Sequence, residues 1–295
     1  MGSALRPERL PVLMALLPES LPTNDILKAM TTGIDPRAQV SPKAELGANV
    51  CIGPFAILED FVQIGDGTVV DANALIGART RIGRDCHIHH GAVVGHAPQD
   101  LKYANEPTSL EIGDRTVVRE YAALHRGTGE QGRTIIGSDC FLMAFTHVAH
   151  DCVVGDHVIM ANASMLAGHC EVEDWVIIGG LTPVHQFVRI GQHSMIGGGL
   201  RIPKDIPPYV LAGGQPTVFE GLNSIGLRRR GFAPAAIAAL DKAYHLLYNS
   251  KLNVSQAVAK IKENGELMAV REVQNVVEFI GKCKRGIIGA PRVRG

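Results

Sequence analysis

From Ile34 to Ile202 an aliphatic residue recurs at every sixth place except three, positions 100, 106 and 130. The series runs Ile34, Val40, Leu46, Ile52, Leu58, Ile64, Val70, Ile76, Ile82, Ile88 and Val94, then resumes in phase at Ile112, Val118 and Leu124. It resumes again at Ile136 and continues through Leu142, Val148, Val154, Met160, Leu166, Val172, Ile178, Val184, Ile190 and Ile196. A period of six matches neither the 3.6 of a helix nor the plain alternation of a flat strand. It is the pattern of a chain wound into triangular coils, in which each short strand sends one large apolar side chain to a shared axis. Two places before each aliphatic the residue is usually small, as at Ala56, Thr68, Ala74, Cys86, Cys140, Thr146, Cys152 and Cys170. Large and small inward residues in alternation can fill a narrow prism without strain. Gly often follows the aliphatic, as at Gly47, Gly65, Gly137 and Gly155, where a corner is expected to need positive φ or close backbone approach.

The phase is unchanged across two gaps, residues 96–111 and 127–135, so both read as excursions from an intact prism. Loops projecting from a rigid scaffold are where sites are commonly built. The repeat ends near residue 210, where Pro203, Pro207 and Pro208 are expected to break the ladder of strands. Helical patterns follow at 235–248, opened by Pro234, and at 254–261 and 270–283. Three segments result: a weakly ordered extension at 1–32, a β-helix at 33–210 and a helical domain at 211–295. The fold class is mainly β. A solenoid cannot close on itself, so symmetric association through its faces is expected, as a homotrimer.

Composition narrows the function. Formal net charge is +0 and the sequence pI about 7.2 over 295 residues, which removes any global electrostatic case for nucleic acid or membrane surface. No apolar run approaches the roughly 18 residues of a membrane span, so no stable membrane insertion is expected. Four of the six cysteines, Cys86, Cys140, Cys152 and Cys170, fall at the small inward position and read as compact core residues. Reduced thiols place the chain in the cytoplasm.

The candidate chemistry is carried by histidine. His125, His147, His150, His157, His169, His185 and His193 all lie between Leu124 and Ile196, and none occupies an inward position. They should therefore stand on outer faces or corners, stacked along neighbouring coils. His150 is followed by Asp151, and an imidazole held by a carboxylate is the usual general base toward a hydroxyl. Two other readings stand beside it: imidazoles from adjacent coils binding zinc, or a ladder of surface rings packing an oligomer interface. The first excursion carries Gln99, Asp100 and Lys102. Arg228, Arg229 and Arg230, beside Asn223, would either clamp a diphosphate, dock an acidic protein or form a solvated basic turn.

Several motifs together resemble a known family. They are Gln99, Asp100, Leu101, Lys102 and Tyr103; His125, Arg126, Gly127 and Thr128; and the run from His147 through Val148, Ala149, His150 and Asp151 to Cys152. With them go Leu166, Ala167, Gly168 and His169, then Val184, His185, Gln186 and Phe187, and the C-terminal run from Gly226 through Arg228, Arg229 and Arg230 to Phe232. This set resembles the acyl-carrier-protein-dependent UDP-N-acetylglucosamine O-acyltransferases, which begin lipid A synthesis. The resemblance implies a left-handed β-helix, a hand that periodicity does not supply and that departs from the usual right-handed crossover. It implies transfer of an (R)-3-hydroxyacyl group from acyl carrier protein to the sugar 3-hydroxyl, with no cofactor beyond the donor's phosphopantetheine thioester and no metal. His150 would be the general base, Asp151 its orienting carboxylate, and the Gly168 amide an oxyanion donor. His147, His169 and His185 would line the sugar–nucleotide cleft, and His125 would also bind substrate. Gln99, Asp100 and Lys102 would contact the acyl 3-hydroxyl and the sugar, and Gln186, Asn223, Arg229 and Arg230 the nucleotide and its phosphates. Gly198 would leave the far end of the acyl groove open. Ile225 departs from the family, some members having Glu there. The related N-acyltransferase and a zinc-dependent γ-type carbonic anhydrase are the alternatives.

Overall fold

The structure, a computed structural model, describes residues 33–129 and 131–290. The extension expected at 1–32 lies outside the described residues. From Gly33 onward the chain forms one compact unit.

Three parallel sheets of 11, 8 and 8 strands form the walls of the prism, the first ending in an antiparallel strand. The first sheet includes Phe141–Leu142, Ile159–Met160 and Ile177–Ile178; the second, His147–Val148, Met165–Leu166 and Pro183–Val184; the third, Val153–Val154, Glu171–Val172 and Arg189–Ile190. Each strand pairs in register with the strand one coil on, as His147 with Met165 and Met165 with Pro183. The architecture is a left-handed parallel β-helix with a few C-terminal helices.

The period of six is the packing of the core. Leu124, Leu142, Val148, Leu166, Ile178 and Ile190 are fully buried, as are the small inward Cys140, Cys152 and Cys170. Burying each such aliphatic contributes roughly 1.5–3 kcal/mol. The small residues also tie the coils together. The thiols of Cys140, Cys152 and Cys170 reach carbonyl oxygens of the next coil at 3.1, 3.2 and 3.2 Å, and the Thr68 and Thr116 hydroxyls do so at 2.8 Å.

One expectation holds in its second half, and another needs correction. Positive φ does not generally fall on the Gly after the aliphatic but two places later, on Asn49, Asn73, Asp139, Asp151 and His169 among others. Asn and Asp tolerate that region best among residues with a side chain. The Gly serves close approach instead: a Cβ on Gly137 would lie 2.5 Å from the Gly155 carbonyl carbon. The prolines, moreover, do not stop the ladder. Val184 bridges Ile202 and Ile190 bridges Ile206, and Val210–Gly213 adds to the first sheet, followed by the antiparallel Val218–Leu222. Pro203, Pro207 and Pro208 sit between these bridging residues, where no ladder N–H is needed.

Among the described residues five helices follow: α1 (Ser224–Arg229), α2 (Pro234–Tyr248), α3 (Val254–Glu263), α4 (Gly265–Met268) and α5 (Arg271–Lys282). Pro234 takes the first position of α2, and Asn253 with Gln256 closes a capping box on α3. The helices dock through buried hydroxyls. Tyr244 donates to Pro208 O at 2.6 Å, and Tyr209 OH accepts from Gln192 at 2.7 Å and from Asn275 at 3.1 Å.

Candidate active site

His150 and Asp151 form the corner between the second and third sheets, where the chain turns with Asp151 at φ 58°. The turn sends consecutive side chains to the same rim, so a pair adjacent in sequence meets in space. His150 Nδ1 lies 2.8 Å from Asp151 Oδ2, and the Asp151 side chain is 0% exposed. That buried carboxylate is well satisfied: Thr128 donates to it from its backbone N–H at 3.0 Å and from its hydroxyl at 2.5 Å. The Asp151 N–H in turn donates to the Thr134 hydroxyl at 2.8 Å. With Thr128 donating to it twice, the carboxylate is held in place to accept the Nδ1–H of His150, which in the neutral ring leaves Nε2 as the acceptor nitrogen.

The other face of the ring is then free to act. His150 Nε2 lies 3.8 Å from Asp100 Oδ2, delivered by the first excursion, whose turn is fixed by Lys102 N–H donating to Asp100 Oδ1 at 2.9 Å. Gly168 stands one coil on at the same corner position. A Cβ there would sit 2.7 Å from His150 Cε1 and 2.8 Å from Nε2, so only glycine lets the imidazole occupy this place. His169 packs edge-on to His150 with centroids 5.1 Å apart, and its Nε2 is 3.8 Å from Asp151 Oδ2. Gln186, exposed, continues the column of His150 and Gly168. His185 lies beside it, with Nδ1 at 3.0 Å from Gln186 O.

His125 and His147 flank the pair with ring centroids 5.1 Å apart. His125 is outward of the prism, as expected, yet buried beneath the first excursion, where Nδ1 meets Ala97 O at 2.7 Å. Burial holds both imidazoles below their ordinary range, His147 down to about 4 with help from the charges of His125 and His150. Both are neutral at pH 7. Gln99 and Lys102 are exposed at the mouth.

The remaining expected residues are not brought to this corner. Asn223, Arg229 and Arg230 belong to the edge between the third and first sheets. Asn223 is buried, caps α1 by accepting from Gly226 N–H, and donates to His193 O at 2.9 Å. Arg228 and Arg229 lie in the last turn of α1 and not in a loop, because that cap starts a helix which periodicity does not reveal. Arg230 follows at the helix end, with its guanidinium 5.1 Å over the Trp175 ring. Burial lowers its pKa, and its Nη1 has no hydrogen-bond partner among the described residues. Gly198 stands at the third edge, between the first and second sheets, and Ile225 is half-exposed on α1. Sequence reasoning gave no role to Thr128 or Thr134, which hold Asp151. Thr128 stood within a quoted motif, but only the fold shows what it touches.

Two family profiles match the chain. One described as UDP N-acetylglucosamine O-acyltransferase, domain 2, covers residues 205–288, and one for bacterial transferase hexapeptides covers 61–96 and 133–167. The acyl-[acyl-carrier-protein]–UDP-N-acetylglucosamine O-acyltransferase of Thiobacillus denitrificans is 47% identical over 256 residues, 86% of this chain and 98% of the relative. The chain belongs to this O-acyltransferase family. Solved structures agree. LpxA from Acinetobacter baumannii superposes with a TM-score of 0.84 at 43% identity, over 86% of this chain and 99% of the other. The Arabidopsis UDP-N-acetylglucosamine acyltransferase gives 0.77 at 32% identity, over 86% and 99%. Membership in the O-acyltransferases sets aside the N-acyltransferase and the γ-type carbonic anhydrase. Among the described residues no helix is long and apolar enough to cross a membrane.

Proposed function

We propose that this acyltransferase moves an (R)-3-hydroxyacyl group from acyl carrier protein to the 3-hydroxyl of UDP-N-acetylglucosamine, the first step of lipid A synthesis, with His150 as general base. The observation that carries the reading is the 2.8 Å contact of His150 Nδ1 with buried Asp151, which leaves Nε2 as the proton acceptor. Nε2 takes the proton of the sugar 3-hydroxyl as its oxygen attacks the thioester carbonyl carbon. The tetrahedral oxyanion is met by the Gly168 N–H, which makes no backbone hydrogen bond among the described residues. Collapse breaks the C–S bond, and the imidazolium returns its proton to the departing thiol. The products are an ester and free phosphopantetheine thiol, with no change of oxidation state and no further cofactor. A positioned base contributes roughly 10²–10⁴-fold and an oxyanion donor roughly 10²–10³-fold.

Around this centre, Asp100 with Gln99 and Lys102 holds the acyl 3-hydroxyl and the sugar. His125, His147, His169 and His185 line the sugar–nucleotide cleft, the neutral rings of His125 and His147 serving as donors or acceptors. Gln186, Arg229 and Arg230 hold the nucleotide and its phosphates. Asn223, whose amide is already engaged, contributes by fixing the helix that presents the arginines. Gly198 leaves room for a long acyl chain.

These groups occupy three different edges of one prism, so a single chain cannot close them around one substrate. A homotrimer of parallel prisms places the edges of neighbouring chains side by side and completes three clefts. Cys86, Cys140, Cys152 and Cys170 are buried thiols outside any disulfide, which supports a reducing, cytoplasmic setting. The test is purified chain with UDP-N-acetylglucosamine and a panel of hydroxyacyl carrier proteins, with light scattering on the same sample. The expected product is a hydroxylamine-labile ester formed with equal release of thiol, by a particle of three chain masses. A hydroxylamine-resistant amide would overturn the acceptor assignment, and a monomer at micromolar concentration would overturn the assembly.

A further inference from the structure

Away from His150, where the first sheet turns into the second, Asp71, His87 and His89 converge from two neighbouring coils. Val69 pairs with His87 and Val70 with Ile88, so Asp71 and His89 follow paired residues one coil apart. His87 Nε2 lies 3.0 Å and His89 Nδ1 3.4 Å from the same oxygen, Asp71 Oδ2. The two rings stack with centroids 3.7 Å apart, and the His87, His89 and Asp71 side chains are 9%, 14% and 23% exposed. One ligand-capable atom from each residue lies within 4.8 Å of the other two. Four ligands at zinc's usual bond length, arranged as a tetrahedron, stand roughly 3.3 Å apart. The two measured separations bracket that value.

The donor set is also that of such an ion: imidazole nitrogens suit zinc and its neighbours, and one carboxylate adds charge. Hydrogen bonding alone leaves two stacked rings sharing one carboxylate oxygen, while the buried Nδ1 of His87 has no partner among the described residues. A further oxygen is near. Glu120, on the next coil, brings Oε1 to 3.8 Å from His89 Nδ1, although Arg119 also holds that atom at 2.8 Å. We propose that Asp71, His87 and His89 bind a divalent transition-metal ion of the zinc type, with Glu120 or water completing the shell. The ion would pin consecutive coils together beside the first excursion. It is a structural site on a different edge from His150, and it takes no part in acyl transfer.

The test is titration of metal-free full-length protein with cobalt(II) chloride, followed in the visible spectrum, with zinc chloride as competitor. Wild type should take up one equivalent per chain, with the intense bands of a low-coordinate nitrogen–oxygen site, and zinc should abolish them and raise the melting temperature. His89→Ala and Asp71→Asn should weaken cobalt binding by more than the roughly 10- to 100-fold that loss of an outer-shell partner costs. His150, Asp151 and His169 also lie within ligand reach of one another, so the double variant His150→Ala/His169→Ala is the control and should bind as wild type does. If His89→Ala does not fold, Asp71→Asn, nearly isosteric with the wild type, decides the matter. No uptake by wild type at micromolar metal, unchanged binding in Asp71→Asn, or loss of binding in the control would each overturn the proposal.

Discussion

Thr128 donates twice to the carboxylate of Asp151, from its hydroxyl to Oδ2 at 2.5 Å and from its N–H to Oδ1 at 3.0 Å. His150 Nδ1 meets the same Oδ2 at 2.8 Å. The second excursion therefore reaches His150, the proposed base, through one buried carboxylate, and a loop with no place in the six-residue period sets the orientation of that imidazole.

Thr128→Val keeps the shape and the backbone hydrogen bond and removes only the hydroxyl. The stability cost should be about 1 kcal/mol. Turnover should fall by about tenfold, as for a partly misaligned base, while KM for UDP-N-acetylglucosamine changes little. Steady-state kinetics decide this; an unchanged kcat in the folded variant would mean that Thr128 does not position the base.

Burial holds His147 and His193 at about 4, well below the 6.5 of a free imidazole. A folded state with depressed histidines binds fewer protons than the unfolded chain, so their contribution to stability is complete above about pH 6.5 and lost as pH falls toward 4. The melting temperature should drop between pH 7 and pH 5. His147→Gln should drop less over the same interval, and an identical drop would remove His147 from the account.

How much of this was readable in the chain depends on distance along it. The inward series was, because Val148 and Cys152 repeat their roles every coil and the period survives both excursions. The His150–Asp151 pair was, because a corner presents adjacent residues to one rim. Thr128 contacts Asp151 across 23 residues, and Asp71 meets His87 across 16, through coil stacking that no local pattern records. Helix α1 was hidden for another reason: it is six residues long and rests on the Asn223 cap. The three prolines misled because the ladder continues through bridges at Ile202 and Ile206 and then Val210–Gly213, which leave room for Pro203 before Ile206 and for Pro207 and Pro208 after it.

Gly198 is the proposed end of the acyl groove. A Cβ added there would meet Gly180 O at 3.2 Å, a tight contact but not a clash, so Gly198→Met should fold. Its methylenes, each worth about 0.8 kcal/mol when buried, would occupy the space of the distal chain. Wild type should prefer a fourteen-carbon hydroxyacyl donor, and the variant should shift toward a ten-carbon donor by about an order of magnitude or more. A wild type that prefers the short donor, or a folded variant with no shift, would contradict this role.

The most direct measurement is turnover of His150→Ala with the preferred hydroxyacyl carrier protein and UDP-N-acetylglucosamine. The side chain stands at a corner, outside the inward core, so the variant should fold, with a stability loss of about 1 kcal/mol for the hydrogen bond to Asp151. Loss of a general base should lower kcat by at least roughly 10²-fold. A folded His150→Ala variant with near wild-type turnover would contradict the account at its centre.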